Sequence, residues 1–127
     1  MQQIFRGLAL AMLGAFMTLN VALAADDAIG TLARITMSLN HYPSDADKEE
    51  LNAIIESDET TDEEVTIAMA ILNMQHTVSA GDAQRLDELL ADDMIDESVR
   101  TLAGVLMHLN HTPSDEDKAA LSALLGE

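Results

Sequence analysis

Apolar and polar positions follow one another along this chain in two helical rhythms that recur. From Ala28 to Asn40 the apolar residues fall at 29, 32, 33, 35, 37 and 39. That spread covers most of a helical circumference and predicts a helix buried on several sides. The stretches from Val65 to Met74 and from Val99 to Leu109 have the same character. From Asp45 to Glu56 the pattern changes: Leu51, Ile54 and Ile55 stand at i, i+3 and i+4, with acidic residues and Lys between them. This predicts a helix with one apolar face, and Leu86, Leu89 and Leu90, then Leu121, Leu124 and Leu125, write it twice more. Aromatic residues are limited to Phe5, Phe16 and Tyr42, and no Val, Ile or Thr run alternates at period two, so no strand is expected.

The recurrence has a fixed length. Leu39-Asn40-His41, Met74-Gln75-His76 and Leu109-Asn110-His111 lie 35 residues apart, and residues 31–57 laid over 101–127 agree at 14 of 27 positions. The middle stretch keeps Ala68, His76, Ser79, Asp82 and Leu86 in register. A helical hairpin cannot bury its own apolar face, so about three must stack. The expected fold is therefore all-α: three tandem 35-residue helical-hairpin repeats with six short helices, in a short α-solenoid or compact helical array. The units run over about 28–62, 63–97 and 98–127. The first helix of each is expected inside and the second outside. The repeat length is near that of tetratricopeptide repeats, but the Trp, Leu-Gly, Tyr and Phe positions of that pattern are absent, and no membership follows.

Helix starts are written into each unit. Ser44, Ser79 and Ser114 each precede an Asp by three residues, at Asp47, Asp82 and Asp117, a short form of the reciprocal capping box. Thr61 with Glu64 is the fuller form, and Asp96 with Glu97 is expected to serve the third unit's first helix. Asn40 and Asn110 are the residues expected to turn left-handed after a helix, and Gly126 stands where a last C-cap glycine belongs.

The first stretch reads as an address. Arg6 ends a short n-region, the run from Gly7 to Val21 is almost wholly apolar, and Ala22-Leu23-Ala24 offers the small residues of a signal-peptidase site. Residues 1–24 are expected to be a signal peptide cleaved near Ala24/Ala25, leaving 25–127 as a single all-α domain. Without cysteine the chain has no disulfide staple, thiolate ligand, catalytic thiol or lipidated Cys. For a small exported domain this favours a bacterial envelope, and the expected location is periplasmic or secreted. Beyond Ala24 five Lys and Arg face 23 Asp and Glu, a net charge near minus 18. Nucleic acid and, after signal cleavage, anionic membranes are repelled, so partners should be cationic or neutral.

Candidate chemistry is sparse. His41, His76 and His111 share one place in the three units, at the end of the first helix. In a linear stack they form a ladder at about 10 Å spacing, too wide to share an ion, and their expected role is binding the last helical carbonyls. His108 stands three residues before His111 and Met107 four before it, so a helix through them would bring His108, His111 and Met107 to one copper, nickel or zinc ion. Asp45/Asp47 and Asp115/Asp117 suggest a calcium loop, but Glu50 occupies the position that requires glycine. No G-x-S-x-G, H-E-x-x-H or Gly-rich phosphate loop occurs. The sequence therefore points first to a non-catalytic, acidic helical-repeat scaffold or adaptor. It would bind a protein or peptide partner, or associate with itself through the third unit, whose outer helix keeps Ala119, Ala120 and Ala123 near its leucines. Cofactors are not required by this reading. The alternatives are a metal-handling protein using His108, His111 and neighbouring Met, and an acidic envelope stress or solubility protein.

Overall fold

The computed structural model describes residues 28–126, so the signal segment 1–24, its cleavage point and Glu127 lie outside the described residues. Six helices follow in order: α1 over 28–37, α2 Asp45–Glu56, α3 Asp62–Leu72, α4 Ala80–Ala91, α5 Glu97–His108 and α6 Asp115–Leu124. The described residues form no strand. Nor is any described helix long and apolar enough to cross a membrane.

Local chemistry starts most of these helices. At α2, α3 and α6 a hydroxyl accepts from the N3 amide while the N3 carboxylate accepts from the cap amide, through Ser44 with Asp47, Thr61 with Glu64, and Ser114 with Asp117. At α4 the Ser79 hydroxyl accepts from the Asp82 amide, but the Asp82 carboxylate turns elsewhere. It accepts from Ser79 Oγ at 2.8 Å, Asn73 Nδ2 at 3.2 Å and Arg85 Nη1 at 3.2 Å. At α5, Asp96 is the cap residue yet its side chain makes no capping bond, contrary to the sequence expectation. Arg100 fixes that corner instead, donating to the carbonyls of Leu90 at 3.0 Å and Asp92 at 2.9 Å as they leave α4.

The helices share the core unequally, as their patterns predict. Leu32, Ala33, Ile35 and Thr36 of α1, Ile67, Ala68, Ala70 and Ile71 of α3, and Leu102, Ala103 and Leu106 of α5 are fully enclosed. By contrast α2, α4 and α6 contribute chiefly Leu51 with Ile54, Leu86, and Leu121. These residues form one cluster. α3 packs against α2, α4 and α5, and α5 also packs against α4 and α6.

The first and last described helices meet. A Cβ placed on Gly30 in α1 would stand 3.7 Å from Leu125 Cδ2, and Ser122 Oγ of α6 lies 4.0 Å from Met37 Sδ. A linear stack leaves its last apolar face open, whereas here α1 covers the end of α6. Residues 85 and 95 apart in sequence are neighbours, and the six helices close into a ring. The bidentate Arg34–Glu50 pair, at 2.8 and 3.0 Å, ties α1 to α2 on the outside. Half exposed, it adds no more than about 1 kcal/mol.

Among the described residues Thr36 is the one fully enclosed polar side chain, Asp82 and Asp117 being buried nearer the surface. Its hydroxyl donates to the Leu32 carbonyl at 2.7 Å, an oxygen the helix already uses, while the positions 35 and 70 residues on hold Ile71 and Leu106. Thr36→Val keeps the shape and removes the buried hydroxyl. It is expected to raise stability by roughly 0.5–1 kcal/mol in urea denaturation. A loss of stability would show that the hydroxyl holds α1 in place.

Candidate metal centre

Each inner helix is followed by a short loop pinned on both sides of a histidine. Two residues before it stand Leu39, Met74 and Leu109, each no more than 3% exposed. Two residues after it stand Pro43 and Pro113, buried, and Val78, half buried against the core. Between these anchors five residues must leave the core and return, which forces a reversal at the middle one. His41, His76 and His111 accordingly adopt φ of 74°, 71° and 72°. The Thr77 amide donates to the Gln75 carbonyl at 2.7 Å and the Thr112 amide to the Asn110 carbonyl at 2.8 Å, the i to i+2 bond of a γ-turn. A side chain with a Cβ pays about 1 kcal/mol or more for that backbone. Asn40 and Asn110, the residues expected to turn left-handed, leave the turn to the histidine after them. The left-handed non-glycine residues of the described chain are these three histidines alone.

The three turns lock together. The His41 amide donates to the His111 carbonyl at 2.7 Å, the His76 amide to the His41 carbonyl at 2.6 Å, and the His111 amide to the His76 carbonyl at 2.8 Å. Each histidine is donor to one neighbour and acceptor from the other, so the circuit closes. The imidazoles follow the backbone: every pair of ring centroids is 4.8 Å apart, with interplanar angles of 86°, 81° and 79°. One nitrogen from each ring lies within 4.8 Å of those from the other two.

This overturns the ladder expected at about 10 Å. That expectation assumed hairpins stacked in a line. Closure of the ring carries equivalent loops to one pole, where they face one another across its axis. An ion midway between three nitrogens no more than 4.8 Å apart would stand at most about 2.8 Å from each, and zinc–imidazole bonds are about 2.0–2.1 Å. Coordination would therefore ask each ring to move inward by at most about 0.7 Å. His76 and His111 are exposed and His41 half buried, so the outer side of the cluster is open to solvent. Asn40 Oδ1 lies 2.8 Å from His41 Nδ1. An amide oxygen only accepts, so the hydrogen sits on Nδ1 and the Nε2 lone pair is left for a ligand. Three neutral imidazoles suit zinc, copper or nickel.

The remaining sequence candidates fall elsewhere. α5 ends at His108 and the cap Leu109 is extended, with φ −68° and ψ 135°, so the helical face expected to unite His108 with His111 stops before it reaches His111. His108 Nε2 instead meets Asp117 Oδ1 at 2.8 Å. Met107 packs half buried against the core. Burial is the largest influence on Asp117 and pushes its pKa up. The hydrogen bond from His108 and those from the Ser114 amide and hydroxyl outweigh it, and leave the carboxyl below its ordinary value of 3.8. No family model, curated protein or solved structure matches the chain.

A carboxyl whose folded pKa is depressed stabilises the fold above its unfolded pKa, and that contribution is lost as pH falls through the folded value. Asp117→Asn is thus expected to cost about 1 kcal/mol at pH 7. The gap to the parent should narrow as pH falls below 3.8 and through the folded value, read from urea midpoints at pH 7 and in acid. A gap that persists in acid would place the cost in packing and not in the carboxylate.

Proposed function

We propose that this protein binds a divalent transition metal ion, zinc, copper or nickel, through His41, His76 and His111. The site lies where three copies of a 35-residue helical hairpin close about an approximate threefold axis. One observation carries the reading: the three left-handed non-glycine residues are identical in type, spaced by 35, and bring their imidazoles to one point. Helix termination alone does not call for that, because glycine or asparagine ends a helix in the same backbone at lower cost. Strain kept at three equivalent positions, with the side chains converging, fits a ligand that the side chains serve. With the export signal read in the sequence, the protein would bind its metal in the periplasm or outside the cell.

The scaffold reading rests on the groove of an open stack, which a closed ring narrows. The acidic surface fits either function, since negative charge raises the local concentration of cations as well as solubility.

The test is native mass spectrometry and calorimetric titration of untagged protein with zinc, copper and nickel salts. One ion per chain is expected, with affinity falling as the solution is acidified, since imidazole must be neutral to ligate. His76→Gly relieves the left-handed strain and should keep apo stability within about 1 kcal/mol of the parent. It should weaken the metal by at least about a hundredfold, and Asn40→Ala by about tenfold. His108→Ala should bind as the parent does. Stoichiometric binding that survives His76→Gly, or that vanishes with His108→Ala, would move the site away from the pole.

A further inference from the structure

The cluster holds three ligands where a structural zinc site holds four. Among the described residues no carboxylate or further histidine joins His41, His76 and His111. Three neutral imidazoles also leave the full double charge on the ion. A position both open and positively charged takes water, hydroxide or a small anion.

The surface beside the cluster narrows that choice. A groove of about 520 Å³ opens next to His76, lined by Tyr42, Lys48, Leu72, Asn73, Met74 and Gln75. Its size is that of a small-molecule site. Among the described residues the cations are otherwise engaged: Arg34 by Glu50, Arg85 by Asp82, and Arg100 by the carbonyls of Leu90 and Asp92. Lys48 and Lys118 alone make neither an ion pair nor a side-chain hydrogen bond there, and Lys48 lines the groove. In a chain with 23 acidic residues, a lysine left without a carboxylate beside a cationic site is suited to a ligand's negative charge. Tyr42, 60% exposed, and Leu72 offer an apolar wall to the rest of the molecule.

Resting on the metal reading, we infer that the loaded centre is an open site for a small carboxylate. One carboxylate oxygen takes the fourth position on the ion, Lys48 meets the remaining charge, and the carbon body lies against Tyr42 and Leu72. The fourth ligand exchanges for water with no change in oxidation state, so the step is binding alone.

Cobalt(II) reports the outcome, because its visible absorption changes with the ligands around it. The protein is loaded with one equivalent of cobalt and titrated with acetate, benzoate and, as a control, a sulfonate of similar shape. A saturable spectral change is expected, with benzoate tighter than acetate and the sulfonate weakest. Lys48→Ala should loosen benzoate about fivefold at unchanged cobalt content, the scale of a half-exposed ion pair, and Lys48→Arg should restore it. A spectrum indifferent to every carboxylate while cobalt stays bound would overturn the open site and leave the three-His centre standing. Equal benzoate affinity in Lys48→Ala would overturn the groove's part. Cobalt-dependent dimers in sedimentation without added carboxylate would assign the fourth position to a second copy and overturn the small-molecule assignment. Failure to take up cobalt at all would overturn the metal centre itself.

Discussion

Everything about the pole of this molecule depends on a circuit of three backbone hydrogen bonds, in which His41, His76 and His111 each donate to one neighbour and accept from the other. Bonds arranged head to tail in a closed loop polarise one another, and none can be extended without straining the other two. The circuit also determines where the side chains go. With the amide and carbonyl of each histidine committed to its neighbours and φ held near +72°, the Cα–Cβ bonds have little freedom, and the three imidazoles meet edge to face at equal distances. The backbone thus pre-organises the cluster, and pre-organisation lowers the cost of gathering ligands around an ion.

The same circuit explains how a small acidic chain without cysteine holds its ends together. The bond between His41 and His111 joins residues 70 apart, and the contacts of Gly30 with Leu125 and of Met37 with Ser122 lie on the same seam. An ion shared by the three histidines would span this seam as well. On the proposed reading metal binding and ring closure would be linked, the ion stabilising the fold by its preference for the closed form.

Equivalent positions diverge where the site does not need them. The residue five before each Pro43-type anchor is Ser38, Asn73 or His108, and each finds its own local partner: the Ile35 carbonyl, Asp82 and Asp117. Thr36 likewise stands where Ile71 and Leu106 fill the core. The residues kept at all three places include the histidines and the cap serines, with apolar anchors on either side of each histidine, beside the core positions Ala33, Ala68 and Ala103 and Leu51, Leu86 and Leu121.

The sequence by itself determined the helices, because hydrophobic period, capping hydroxyls and chain breaks act over a few residues and are legible there. It also showed that His41, His76 and His111 are equivalent, and that an apolar residue stands two places to either side of His41 and His76, with its like around His111. What only the tertiary structure decided was the distance between them. Whether hairpins stack in a line or close into a ring depends on the angle at which one packs on the next, a property summed over many side chains and written at no single position. A line places the histidines about 10 Å apart, as helix-end residues. The ring brings the three imidazoles to one point, with their centroids 4.8 Å apart.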